Sequence, residues 1–390
     1  MKQKNTSALI GAALLMAISA VGPGFLTQTT VFTKSLGASF GFVILVSILI
    51  DIGVQLNIWR VIAVSEMRAQ DIANKLLPGL GSFLSLLIII GGLAFNIGNI
   101  AGAGLGLEAL FGMPVTTGAV LSAFVAIAVF VNRQIGKAMD RFTQVMGGIM
   151  ILAIIYITII ATPPVAEAAL RTVLPIEIDF VAIVTLVGGT VGGYITFAGG
   201  HRLIDAGIKG QLALPEVSRS AVMGISVASL VRVSLFLASL GIIAQGLSID
   251  DSNPTASVFQ LAAGDFGYRL FGLVMFAAAV TSIIGSAYTS VSFIKSFNTW
   301  IAKNENWIII GFILISALVF VALGKPVNLL IMAGAVNGII LPISLSVMLI
   351  AAYKPAIVGA YKQPLPLTLI GATIVILMAY MSIRVIVDVF

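Results

Sequence analysis

Cysteine is missing from all 390 residues, histidine occurs once, and only 9% of the residues are charged. The missing thiols exclude disulfides, thiolate metal sites and cysteine nucleophiles. One imidazole and few acids within apolar runs leave little for a nucleophile–base pair or a metal box, so no enzyme and no cofactor are expected. No polar segment exceeds about twenty residues. A sizeable soluble domain therefore has no room, which argues against a receptor or scaffold. A filter loop or rings of charge, the usual marks of a channel, are not evident either.

What the chain has is apolar surface. Hydrophobic residues make up 59% of it, and the mean hydropathy is +1.13. Windows of about 20 apolar residues mark membrane helices. They run over 7–36, 40–64, 80–107, 114–131, 142–162, 178–201, 221–246, 268–297, 307–323, 327–353 and 366–387. The expected fold is an all-α integral membrane protein of about eleven transmembrane helices. The first run lacks a small-residue cleavage site in the right context, so no signal peptide is expected. The net charge of +6 reads as cytoplasmic loops rather than as nucleic-acid binding. With the N-terminus inside, fifteen Lys and Arg fall on the cytoplasmic side and five outside, with Arg232 inside a helix. That bias predicts a cell (inner) membrane protein with its N-terminus cytoplasmic and its C-terminus outside.

Two windows are interrupted near the middle. The first carries Gly22-Pro23-Gly24 and the sixth carries Gly188-Gly189-Thr190-Val191-Gly192-Gly193. Proline lacks an N–H and glycine is a poor helix former. Backbone freed inside a bilayer must find a partner in the protein or its cargo. Paired interruptions at matching places in two halves point to a transporter site. They predict an inverted repeat of five helices each, 7–162 and 178–353, with 366–387 appended. The row Gly98, Gly102, Gly106 reads instead as a helix-packing face.

The breaks nominate the residues that touch cargo. A half-helix opening after Gly24 is expected to present the N–H groups of Phe25, Leu26 and Thr27, where the helix dipole favours negative charge. Thr27, Gln28 and Thr29 add neutral hydrogen-bonding groups, and Thr30 does so less; their alternative role is capping or bonding back to a carbonyl four residues earlier. Around the second break, Gly189, Thr190, Gly192, Gly193 and Tyr194 complete the set, with Gly22 and Gly24 on the first. Asn96 and Asn337 are second-rank candidates. Other polar residues in apolar runs, such as Asn99, Ser282 and Ser286, read as interhelical glue. Asp51, Arg232 and His201 are candidates for coupling or gating, because ionisable groups inside a membrane are costly. Asp51 and Arg232 could pair directly, His201 reads as a solvated residue at a helix end, and Lys34 reads as a snorkelling side chain.

The same residues resemble the NRAMP family of divalent-metal transporters. The likeness is carried by Gly22-Pro23-Gly24, Gly37-Ala38-Ser39-Phe40-Gly41-Phe42 and Gly189-Thr190-Val191. Thr281-Ser282-Ile283-Ile284-Gly285 and Asn337-Gly338-Ile339-Ile340-Leu341-Pro342 add to it. The resemblance implies the leucine-transporter-type inverted repeat and alternating access. The departures concern cargo. The family's Asp-Pro-Gly-Asn reads Gly22-Pro23-Gly24-Phe25 here, and its Ala-x-x-Met-Pro-His reads Gly189 through Tyr194. The carboxylate, carboxamide, thioether and imidazole that the family offers are all absent, so no metal site is expected. The expected function is secondary transport of a small inorganic ion, favouring a small anion such as bicarbonate. A divalent cation, Mg²⁺ or Mn²⁺, is the alternative the family implies. The protein is expected to work as a monomer.

Overall fold

The computed structural model describes residues 21–295 and 297–389. Residues 7–20 of the first window, and Lys2 and Lys4, lie outside the described residues. The described chain is helical almost throughout. Helix α1 (Pro23–Leu36) leads through a 3-10 turn into α2 (Phe40–Ser65); α3 (Leu80–Phe111), α4 (Val115–Val131) and α5 (Arg133–Ile160) follow. The sixth window is two helices, α6 (Phe180–Thr190) and α7 (Gly193–Asp205). Then come α8 (Leu214–Ala244), α9 (Pro254–Ser292), α10 (Glu305–Leu323), α11 (Pro326–Ala351) and α12 (Leu365–Val389).

Among the described residues nine stretches are long and apolar enough to cross a membrane. One of them, Pro23–Ser65, holds both α1 and α2, and α4 is a shorter apolar helix. Each of the eleven windows thus contains a helix. Large apolar side chains such as Phe83, Phe124, Leu152, Ile159, Leu318 and Ile376 are exposed on the outside of the bundle. A bilayer solvates such a surface; water does not.

Hydropathy placed some boundaries short. Helices α5 and α8 start in polar turns ahead of their windows. Helix α9 starts at Pro254, and Ala263 and Gly264 leave helical geometry, with Gly264 at φ +63°. The chain there makes a short helix and then, past the kink, the longer one. Two short amphipathic helices, Ala69–Leu76 and Val165–Val173, fall between windows.

Helix α3 lies against α9 and α11, α8 against α2, and α11 against α6. The glycine row on α3 makes this approach possible. Gly98 abuts Ala333 and Leu330, Gly102 abuts Pro23, and Gly106 meets the backbone of Gly272 and Phe276. It is a packing face, as its spacing suggests.

One face of the bundle is tied together by polar contacts. The Thr30 and Thr255 hydroxyls are 3.1 Å apart. Lys34 does not snorkel: its Nζ donates to the Ile249 carbonyl at 2.9 Å and pairs with Asp251 at 2.7 Å. In the same loop the Ser252 N–H and hydroxyl hydrogen-bond Asp250 and hold its carboxyl below the ordinary range. Asn253 ties that loop to Glu108 at 2.8 Å. The opposite face carries the pairs Arg68–Asp205 and Lys209–Glu66. The charge bias predicts that the second face is the cytoplasmic one. Thr255 is buried, so the exposed Ser252 and Lys137 are the positions that report sidedness. In this cysteine-free chain, an impermeant maleimide added to intact cells is expected to label S252C and spare K137C. Labelling of K137C alone would invert the topology.

Candidate functional site

The second interruption separates two helices and the first is where α1 begins, and the two meet. Helix α1 begins at Pro23, with Gly22 as its extended N-cap and proline in the first turn, where a missing N–H costs nothing. The helix therefore starts earlier than expected. Leu26 N–H is spent on the Gly22 carbonyl at 3.2 Å, so Gly24 and Phe25, not Leu26 and Thr27, hold the free N–H groups of the first turn.

The second break spans Val191 and Gly192, after which Gly193 adopts φ +44°. A Cβ at Gly193 would meet Asn337 Oδ1. Glycine is required there for both space and conformation. A Cβ at Gly188 would collide with the Gly334 carbonyl and the Gly338 backbone. The broken helix and α11 thus touch through glycine.

Amides link the elements around the breaks. Gln28 Nε2 donates to the Leu330 carbonyl at 2.8 Å, while its Oε1 has no partner; a Cβ at Gly189 would fall on that oxygen. Asn337 Nδ2 donates to the Gly91 and Ala333 carbonyls, both at 2.9 Å. Asn96 Nδ2 donates to the Ile283 carbonyl at 2.9 Å. Both asparagines act first as interhelical glue, although each keeps a buried carbonyl oxygen without a partner. Thr29 bonds back to the Phe25 carbonyl at 2.7 Å, so its hydroxyl is committed to its own helix. Thr27 is buried beside it.

Charge gathers at the end of α6. The Thr190 hydroxyl donates to the Leu186 carbonyl at 2.8 Å and accepts from Arg232 Nη1 at 3.0 Å. The guanidinium sits over the Phe25 ring, 3.9 Å from its centroid, a favourable cation–π contact. Asp51 faces both Thr190 and Arg232. Each of the two charged residues is only 2% exposed. A direct Asp51–Arg232 pair, one of the arrangements the sequence left open, is not formed: no such ion pair occurs among the described residues, and Thr190 stands between them. Arg232 Nε and Nη2 and Asp51 Oδ1 have no hydrogen-bond partner. A buried ion costs about several kcal/mol unless its bonds are met, so this cluster is underused by the protein itself.

Below the breaks a cavity of about 420 Å³ runs toward the face of Arg202. Of the nominated residues, Thr190 and Tyr194 line it. Tyr194 also packs edge-on against Phe95, with ring centroids 5.2 Å apart. Ser282 lines the cavity and lies next to Gly22, connecting it to the first break. Gln55, Thr143, Gln144 and Thr289, unmarked by the sequence reading, and Thr281, noted there only as part of the family likeness, complete much of its polar wall. Single polar residues in apolar windows gave no sign of which way they face. Among the described residues the charged one on the wall is Arg202, which is exposed, and none of the lining residues is a carboxylate.

His201 lies elsewhere. It is 4% exposed and accepts the Ala69 N–H on Nε2 at 3.0 Å, packed against Phe197 and Phe293. It is no solvated end residue but an anchor for the short helix Ala69–Leu76.

Comparison with known proteins bears on what this arrangement does. A family model described as "Natural resistance-associated macrophage protein-like" matches residues 13–388. The uncharacterized membrane protein YcsG of Bacillus subtilis is 59% identical over 98% of this chain and 95% of its own length. An uncharacterized membrane protein of Haemophilus influenzae is 55% identical over 98% and 96%. Among solved structures, a manganese transporter of Eremococcus coleocola superposes with a TM-score of 0.72 at 17% identity, covering 98% of this chain and 86% of that one. MhsT, solved in complex with L-phenylalanine, gives a TM-score of 0.70 at 16% identity and 98% coverage of both chains. The leucine-transporter-like fold is common to both.

Proposed function

We propose that this chain, which belongs to the Nramp family and is therefore a secondary transporter rather than an enzyme, carries a small anion such as bicarbonate. The observation that supports this reading is the cavity wall. Among the described residues, hydroxyls and amides make its polar lining, Arg202 is its charge, and no carboxylate faces it. Walls of one charge sign raise the local concentration of the opposite ion. Ser282 joins the cavity to Gly22, the N-cap of α1, and the dipole of that helix favours negative charge as well.

A divalent cation has less to hold it. Transition metals take imidazole, thioether, thiolate or carboxylate ligands. No group of three or more His, Asp or Glu able to hold a metal occurs among the described residues. Mg²⁺ keeps its waters yet takes one or two carboxylates, and the acid beside the breaks, Asp51, already faces Arg232. L-Phenylalanine, the molecule bound in MhsT, carries a carboxylate, a planar oxyanion like bicarbonate. In this reading the protein works as a monomer by alternating access, with its N-terminus cytoplasmic.

The test is flux into proteoliposomes loaded with a pH dye. Entering bicarbonate raises internal pH, whereas CO₂ crossing the lipid lowers it. The wild type is expected to give saturable alkalinisation, no uptake of Mn²⁺ or Mg²⁺, and no micromolar Mn²⁺ binding by calorimetry. Mn²⁺ or Mg²⁺ uptake without anion movement would overturn the reading.

A further inference from the structure

We propose that Arg232 is the group that takes the anion's charge at the centre of the membrane, and that Asp51 is a built-in counter-anion which the substrate displaces. The inference rests on the anion reading above and assigns it a binding residue.

The geometry has three parts. The guanidinium is placed by contacts that leave donors over: Phe25 supports its face, Thr190 takes Nη1, and Nε and Nη2 remain unpartnered in a site 2% exposed. A planar guanidinium with two free donors matches the two-oxygen edge of a carboxylate or bicarbonate. The Phe25 ring that supports it belongs to the residue whose N–H is left free at the start of α1, so helix N-terminus and guanidinium adjoin.

Asp51 is the second part. It forms no ion pair with Arg232 among the described residues, and its Oδ1 has no donor. A permanent structural salt bridge would close that gap. An acid held beside the cation but out of contact balances the charge when the site is empty and yields to a better-placed anion.

Access is the third. Thr190 and Ala228 line the cavity, and Arg232 lies one helical turn beyond Ala228 on α8. The Thr190 hydroxyl is therefore the door between the cavity and the guanidinium. It sits at the last residue of α6, where the break lets the backbone shift without breaking a helix.

The experiment uses the full chain in proteoliposomes, with labelled bicarbonate as probe and formate as competitor, on wild type, R232Q, R232K, D51N and the double variant D51N/R232Q. Loss of a charged partner is expected to cut sub-saturating uptake in R232Q by about tenfold or more. R232K, which keeps the charge but not the fork, recovers part of it. D51N removes the competing anion and is expected to lower the half-saturating concentration by about tenfold, a gain that misfolding cannot produce. The double variant is expected to stay as poor as R232Q. Recovery in the double variant would mean that Arg232 only neutralises Asp51, and an unchanged half-saturation in D51N would mean that Asp51 does not compete; either result overturns the proposal. Wild-type anion uptake matched by R232Q sinks this inference alone. Wild-type uptake of Mn²⁺ or Mg²⁺ with none of bicarbonate sinks the anion reading with it.

Discussion

Replacing Gly192 with methionine is expected to abolish transport, and not to create a Mn²⁺ transporter. Methionine stands at the corresponding place in the metal-binding pattern of the family, so G192M is the obvious attempt to restore a metal ligand. The backbone forbids it. A Cβ at Gly192 would lie closer than 3.0 Å to the Gly188 Cα and carbonyl and to the Asn337 carbonyl carbon. These are backbone atoms on α6 and α11, and neither can turn aside as a side-chain end can. Overpacking of this kind costs about 1–3 kcal/mol when neighbours yield, and more when they cannot. Alanine alone brings the clash, so G192A should already lower thermal stability, with G192M lower still. Thermal unfolding in detergent and flux in liposomes measure the two effects. A stable G192M that binds Mn²⁺ would show that this break can reopen as a metal site.

Reversing the charge at the cavity mouth should produce the next largest effect. Arg202 is exposed and is the charge on the wall. Two unit charges a few ångströms apart interact by about 1–4 kcal/mol between bulk water and a protein surface. Exchanging attraction for repulsion in R202E should raise the half-saturating anion concentration by about 10–100-fold. R202Q should fall between, and the difference between variants should shrink as salt rises, because the site is wet and screened. A purely structural role for Arg202 would leave no such salt dependence. Enhanced anion uptake by R202E would contradict the electrostatic reading.

The sequence reached the fold more easily than the site. Eleven apolar windows needed only hydropathy, and the breaks announced themselves because Gly22-Pro23-Gly24 and the glycines of 188–193 cannot continue a helix inside lipid. Even the true start of α1 was within reach, since proline favours the first helical position. The register between helices was not. Nothing in the spacing of 51, 190 and 232 shows that a threonine hydroxyl intervenes between acid and base. His201 was misjudged for a related reason. The short helix that buries it, Ala69–Leu76, is too brief and too polar for a hydropathy window. The inverted repeat was inferred from the placement of the breaks, and likeness to solved transporters of the same fold accords with it.

The sign of the carried charge decides most directly between an anion and a metal cargo. Proteoliposomes adsorbed on a solid-supported membrane, challenged by rapid exchange into bicarbonate, Mn²⁺ or Mg²⁺, report that sign as a transient current. An anion carrier gives a transient of negative charge moving with bicarbonate, saturable and diminished in R202E, and no transient with either metal. A positive transient with Mn²⁺ or Mg²⁺, and none with bicarbonate, would contradict it.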